Sequence, residues 1–223
     1  MRRRRLATIA VLLVAIAAIA AGCGSDSSSS SSTPAPTPGQ SKASVYNDPA
    51  LFILGEAALP GGYVLDPSNT GAITNADSVK GRGDAYRRNV ASWGRISGYG
   101  TGWRPDSADI QGPLQIQSFA STYETEGGAI DAFAQGITEL EQAWTMVDSS
   151  VKVGDEVRFA TRDLDSTAGP ITLYMVAWRS GQVHGTLALT WERDRGSLDE
   201  AIAYAEKQQE RIEQSIRDGI PTE

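Results

Sequence analysis

The thiol of Cys23 is the side chain whose type and position point most directly to a chemical reaction. It is the only cysteine among 223 residues, so the chain offers no partner for an internal disulfide and no thiolate set for a zinc site. Three small residues, Ala20, Ala21 and Gly22, precede it directly. Small residues of this kind mark the cleavage site of an export signal, and cleavage there would make Cys23 the new N-terminus.

The segment before Cys23 has the composition of such a signal. Residues 2–5 are all arginine, and residues 6–21 follow as sixteen residues without a charge. As a helix these would span roughly 24 Å, which is less than the roughly 30 Å hydrocarbon core of a bilayer. The composition therefore predicts a cleaved leader over residues 1–22 rather than a permanent membrane span.

The motif Ala20-Ala21-Gly22-Cys23 resembles the lipobox of bacterial lipoproteins. In that family the cysteine directly after the cut receives a diacylglycerol through a thioether, and the position of Ala20 is usually leucine. The resemblance implies lipid attachment at Cys23, the membrane as a partner, and a location at the cell membrane facing outside the cytoplasm. The alternatives are ordinary secretion with a free thiol, and a leader that is kept as an anchor.

Residues 23–44 are predicted to be a flexible tether. They contain a run of six serines and then a proline-rich stretch, with no large apolar residue after Cys23. Such a composition cannot bury enough surface to fold. Its root-mean-square reach is roughly 25 Å if the chain is flexible, so the remainder is expected to stay close to the membrane. Residues 45–223 are long enough to form one folded domain.

His184 is the only histidine, and it lies in the middle of a predicted strand. A general base needs a nucleophile or an acid within hydrogen-bond reach. The chain contains no Gly-x-Ser-x-Gly motif, and its single cysteine is at the tether. A packed or surface histidine is therefore expected rather than a catalytic one. With one histidine and one cysteine, neither a metal site nor a cofactor is expected.

Two pairs of carboxylates lie close together in the sequence: Glu124 with Glu126, and Glu192 with Asp194. Such pairs can carry out hydrolytic acid and base chemistry. Both pairs also precede predicted helices, where the helix dipole favours acids. The structural role is the preferred interpretation, and an envelope hydrolase that uses a carboxylate pair is the alternative.

Three aromatic residues are the candidate binding site. Residues 94–103 alternate in character and predict a strand, on which Trp93, Tyr99 and Trp103 share one side. Aromatic rows on a sheet can stack on sugars or hold a peptide. The preferred interpretation is that these side chains form part of the core under one of the two helices, and a binding row is the alternative.

The strand and helix patterns predict an α+β fold. Ser180-Gly181 separates two alternating segments and suits a hairpin turn. Apolar residues from Ile130 to Trp144 and from Leu198 to Ile216 follow helical spacing and are predicted to point inward, and Ser197 is the predicted cap of the second helix. We expect an antiparallel sheet of five to seven strands with two main amphipathic helices packed on it. In order and size this pattern loosely resembles the sandwich of the PsbP/Mog1/LpqN-like group. That resemblance implies the fold and no activity.

The charge balance limits the partners. The formal net charge is −7, and removal of the four leader arginines takes it to −11. A negative net charge argues against binding to nucleic-acid phosphates and against electrostatic docking on anionic lipid. The expected function is a binding or accessory module of the cell envelope, tethered to the membrane, with a small ligand or an envelope protein as its partner.

Overall fold

The structure, a computed structural model, describes residues 45–219, which form an antiparallel sheet with helices on both faces. The sheet has eight strands. The α+β class predicted from the sequence is therefore confirmed. The strand number exceeds the predicted range because Gly71–Ile73, in a polar segment without apolar alternation, forms a short edge strand.

The strands are β1 (Tyr63–Leu65), β2 (Gly71–Ile73), β3 (Arg95–Pro105), β4 (Gln115–Tyr123), β5 (Thr145–Val147), β6 (Glu156–Ser166), β7 (Gly169–Ser180) and β8 (Val183–Glu192). The helices are α1 (Asn75–Ser78), α2 (Asp84–Ser92), α3 (Glu126–Ala143) and α4 (Leu198–Gly219). Three short 3₁₀ helices precede β1 within residues 45–59, which we call the N-terminal strap.

The five long strands form the middle of the sheet in the order β3-β4-β8-β7-β6. β1 and β2 both pair with β3, at Trp103–Pro105 and at Gly98–Gly100, and β5 pairs with β6 at the opposite edge. β7 and β8 are joined by the two-residue turn Gly181-Gln182, one residue later than the predicted Ser180-Gly181, and Gly181 has a φ of +55°. A left-handed residue at that position suits a two-residue hairpin turn.

α4 packs on one face of the sheet because its inward residues recur every three or four positions. The Ser197 hydroxyl accepts a hydrogen bond from the backbone N–H of Glu200 at 3.2 Å and caps the helix start, as the sequence predicts. The largest core cluster joins α4 to strand residues such as Leu187 and Leu189. The buried residues of α4 are Ala201, Ile202, Tyr204, Ala205, Gln208, Gln209 and Ile212.

α3 packs on the other face, and its stripe differs from the predicted one at one residue. Ile130 was expected to point inward but is 44% exposed, whereas Ala129 and Ala132 are buried. The start of α3 lies against the chain after α2, where a Cβ at Gly128 would overlap the carbonyl oxygen of Trp93. Such a close approach requires small residues on the inner side of the first turn.

A bulge near the start of β3 changes which side chains share a face. The register with β4 shifts between Arg95 and Ser97. Consequently the Arg95 guanidinium lies over Gly98 and donates to the Ser121 hydroxyl at 3.2 Å, on the face that α3 covers. An extra residue in one strand reverses the alternation beyond it. The sequence pattern, which assumed unbroken alternation from Trp93, did not include this shift.

The N-terminal strap lies across the α4 face of the sheet and is fixed by buried polar contacts. The Ser118 hydroxyl accepts a hydrogen bond from the backbone N–H of Leu54 at 2.8 Å and donates to Gln208 Oε1 at 2.8 Å. Gln208 Nε2 donates to the carbonyl oxygens of Phe52 at 3.1 Å and Phe119 at 3.0 Å. One side chain of α4 thus connects the strap to β4.

Candidate functional site

Cys23, the predicted lipid-attachment residue, lies outside the described residues, and so do the leader and the tether. The first described residue is Val45, which lies against the last residue of α4: a Cβ added at Gly219 would be 2.7 Å from the Val45 Cβ. The chain therefore enters the fold beside the C-terminal end of α4. Within residues 45–219, no helix has the length and apolar character that crossing a membrane requires.

The three aromatic residues of the predicted binding row do not share a surface. Trp103 is 3% exposed and belongs to the core cluster under α4, against which the half-buried Tyr99 packs. Trp93 is buried in a separate cluster with Tyr123, on the α3 side of the sheet. The bulge in β3 separates the two groups. Trp93 and Trp103 occupy core positions, so any binding role would fall to Tyr99.

Both ring nitrogens of His184 are engaged. Nε2 lies 2.6 Å from the carbonyl oxygen of Ala129, and Nδ1 lies 3.0 Å from the hydroxyl of Tyr123. Because a carbonyl only accepts, Nε2 carries the proton and Nδ1 accepts from Tyr123 in the neutral ring. Burial is the main cause that lowers the pKa of His184 to about 4; the hydrogen bond to the Ala129 carbonyl oxygen opposes this shift, and the charges of Arg179 and Arg95 add to it. The ring is positioned as a packing and hydrogen-bonding group.

One acid of each carboxylate pair, Glu126 in the first and Glu192 in the second, forms an ion pair with an arginine. In the first pair, Glu126 Oε1 lies 3.1 Å from Nη1 of Arg179, whose side chain is only 10% exposed. In the second pair, Glu192 Oε2 lies 2.9 Å from Nη1 of Arg195. A retaining or inverting hydrolase needs two carboxyl groups facing a shared substrate space. The ion pairs instead favour a structural role for these acids.

Glu200 is a carboxyl group with a perturbed environment, which the sequence analysis did not single out. Burial raises its pKa, a feature shared with catalytic acids. Its electrostatic neighbours are the phenols of Tyr63 and Tyr204, whose pKa values burial also raises. In residues 45–219, no group of three or more histidine, cysteine, aspartate or glutamate side chains is arranged to hold a metal ion.

Two open clefts flank the exposed side of α4. The first cleft, about 610 Å³, separates α4 from the loop before β6, and the second, about 660 Å³, separates α4 from the N-terminal strap. Glu210 borders both. The first is lined by Lys152, Val153, Gly154, Asp155, Ser180, Glu206, Gln209, Glu210 and Glu213. The second is lined by Gly55, Ala57, Ala58, Lys207, Glu210, Arg211, Gln214, Ser215 and Arg217.

The two flanks of α4 differ in charge. The first cleft contains four acids and one lysine, whereas the second contains three cations and one acid. The division follows from helical spacing, because Glu206 and Glu210 are four residues apart on one flank, and Lys207 and Arg211 on the other. This spacing is visible in the sequence and was the signal that could have located the clefts.

The comparisons with known proteins give no family for this chain. No protein-family model matches it, and no curated protein matches its sequence. The extracellular domain of PknH from Mycobacterium tuberculosis is 10% identical with a TM-score of 0.48, over 74% of this chain and 94% of that one. A protein from Bacteroides thetaiotaomicron is 16% identical with a TM-score of 0.36, over 67% of this chain and 44% of that one. At these scores neither likeness bears on function.

Proposed function

We propose that this protein is an exported lipoprotein whose domain serves as a binding or accessory module of the cell envelope. The observation that carries the proposal is the single cysteine directly after Ala20-Ala21-Gly22 and an apolar leader. A thioether-linked diacylglycerol would supply two acyl chains, which is what stable anchoring requires. The folded domain then works outside the cytoplasmic membrane, within the reach of its tether.

The anchor is tested by the intact mass of the native protein. Cleavage after Gly22 and an acylglycerol on Cys23 are the expected result. The matched variant is Cys23→Ser, which keeps the size of the side chain and removes the thiol. The variant should carry no acylglycerol, whereas the native protein should. Because an uncut leader would also enter a detergent phase, the intact mass is the readout for both proteins. A native mass that still includes residues 2–22, or an unmodified Cys23, contradicts the proposal.

The binding role is supported by the two clefts beside α4. Both clefts are open grooves of several hundred Å³, and charged and polar side chains make up most of their lining. Such a lining suits recognition of a polar or charged group at the surface better than an enclosed apolar ligand. In contrast, His184 and the arginine-paired acids Glu126 and Glu192 are committed to contacts within the fold. The described residues therefore offer a recognition surface more readily than a catalytic centre.

The clefts are tested by photo-crosslinking on intact cells. A photoreactive amino acid replaces Glu210, which borders both clefts, and in a separate strain it replaces Glu141, which is exposed on α3. Crosslinks to one defined species from position 210 and none from position 141 are expected. Equal crosslinking from both positions, or none from position 210, argues against a binding surface at α4.

A further inference from the structure

The second cleft contains two cations without a carboxylate partner. Within residues 45–219, neither Lys207 nor Arg211 lies within ion-pair distance of an acid. Arg217, the third cation, has only a distant partner, with 3.8 Å between its Nη1 and Glu213 Oε2. Uncompensated cations that converge on a cleft favour an anionic ligand.

Both cations are positioned by the N-terminal strap. Lys207 Nζ donates to the carbonyl oxygen of Ala58 at 3.0 Å, and Arg211 Nε donates to that of Leu51 at 3.1 Å. One of the three N–H donors of the ammonium group and one of the five of the guanidinium group are used in this way. Lys207 Nζ also lies 5.1 Å from the centroid of the Tyr204 ring, which fixes the ammonium group further. Donors on both groups remain for a ligand, and the side chains lose little further freedom when it binds.

The Arg211 guanidinium group lies close to the strap backbone at Gly55. A Cβ at Gly55 would lie 2.6 Å from Nη1 of Arg211, so a larger residue there would displace the end of this flexible side chain. Arg211 lines the cleft, and its planar fork matches the oxygens of a phosphate.

The cleft is at the end of the fold where the chain leads to the predicted anchor. Arg217 is two residues before Gly219, which contacts Val45, the first residue after the predicted tether. A tether with a reach of roughly 25 Å keeps this end of the domain near the bilayer surface. Phosphate groups are the most abundant anions there.

The net negative charge of the chain does not prevent a local contact of this kind. At physiological ionic strength the Debye length is about 8 Å, so charges on the far side of the domain are screened from the membrane. Five acids are nearer. Glu210 lines the cleft, Glu213 pairs with Arg217, and the Asp218 carboxylate accepts hydrogen bonds from Gln214, whereas Asp48 and Glu56 belong to the strap. Their presence favours one directed contact over general attraction to the surface.

We propose that the second cleft binds the phosphate of an anionic phospholipid headgroup through Lys207 and Arg211. This inference rests on the proposed function, because the lipid on Cys23 brings the cleft to the bilayer. Headgroup binding orients the domain with this flank of α4, beside the N-terminal strap, toward the membrane. The first cleft, on the other flank of α4, then stays accessible to a partner.

The test uses the full lipidated protein in vesicles of phosphatidylcholine alone and in vesicles that also contain phosphatidylglycerol. Cys23 is the only cysteine and is blocked by lipid, so Ala57→Cys at the cleft rim introduces one labelling site. Energy transfer from a donor there to a headgroup-labelled acceptor should rise when phosphatidylglycerol is present. A donor at Ala168→Cys, in the β6–β7 turn, should not show that rise.

The variant Lys207→Gln/Arg211→Gln should remove the response at Ala57. At about fivefold for each cation near an anionic surface, the ratio of docked to undocked domain should fall about 30-fold. The matched control is Lys80→Gln/Arg88→Gln, which removes one exposed lysine and one exposed arginine elsewhere. The control should keep the response, and circular dichroism should show both double variants folded, since all four side chains are exposed.

The outcomes separate the two proposals. Protein that does not stay on either type of vesicle overturns the anchor and, with it, the headgroup contact. Protein that stays on both vesicles with equal energy transfer keeps the anchor and overturns the headgroup contact. Loss of the response in the control variant shows that net charge, not the cleft, attracts the membrane. A further experiment labels the cysteine of Ala57→Cys in detergent without lipid. If inorganic phosphate slows that labelling, and energy transfer in vesicles does not depend on phosphatidylglycerol, the ligand is a soluble phosphate and the headgroup contact is overturned.

Discussion

Replacing Gln208 by leucine tests whether the buried polar contacts hold the N-terminal strap on the sheet. The Gln208 side chain is fully buried, and it makes three hydrogen bonds, to Phe52, Phe119 and Ser118. Leucine has a similar length and fills most of the space. It leaves two carbonyl oxygens without this donor and the Ser118 hydroxyl without its acceptor.

The expected loss of stability is about 3 kcal/mol. Leaving a buried donor or acceptor unpaired costs about 1–3 kcal/mol for each group. Three groups are affected, and burial of the additional apolar surface of leucine offsets part of that sum. The change should appear as a lower denaturant midpoint with an unchanged dependence on urea concentration, because the folded core stays the same size.

Urea unfolding of the variant, compared with Gln214→Leu, is the measurement. Gln214 is on the exposed side of the same helix, so its replacement should change stability by about 0.5 kcal/mol or less. Hydrogen exchange should also become faster at the amide of Leu54, which is bonded to the same network. A loss below about 1 kcal/mol, or unchanged exchange at Leu54, would refute the role assigned to this network.

Three further predictions concern His184, Gly154 and the predicted aromatic row. The free energy of unfolding should fall as the pH drops from 6.5 toward about 4. The pKa of His184 is lowered in the folded state, so the unfolded state takes up a proton first. Thermal melts of His184→Leu should show a smaller fall over that pH range. Gly154→Ala should lower stability by about 1–3 kcal/mol in urea unfolding, because φ is +63° and a Cβ would overlap the Arg179 carbonyl oxygen; a neutral result would contradict this geometry. Trp103→Ala should cost about 3–5 kcal/mol in the same assay and Tyr99→Ala less, whereas equal effects would argue against Trp103 as a core residue.

The long elements were predictable because each carries a periodic pattern with defined ends. The β7–β8 hairpin follows from two alternating segments around Ser180-Gly181, and α4 begins at the predicted cap on Ser197. Two local departures were not predictable. The bulge at Arg95 depends on the partner strand, and the exposure of Ile130 depends on how closely the start of α3 approaches the chain after α2.

The candidate site was less predictable than the fold. An aromatic row on β3 was a reasonable expectation from alternation alone, but one extra residue placed Trp93 and Trp103 on different faces of the sheet. The clefts beside α4 arise from the path of the N-terminal strap and of the loop before β6. Neither segment has a period that a sequence pattern can reveal. The charge division between Glu206 and Lys207 was readable, although its meaning depends on these neighbours.

The strap contacts also determine when the fold can be completed during translation. The amide of Leu54 bonds to a residue 64 positions later, and the carbonyl of Phe52 bonds to one 156 positions later. The N-terminal strap is synthesised first, but it can dock only after α4 is present. Until then, Phe52 and its apolar neighbours remain exposed to solvent. Contacts between residues so distant in sequence slow folding and prolong the exposure of apolar, aggregation-prone surface. Truncation of α4 before Gln208 should therefore release the strap at the opposite end of the sequence.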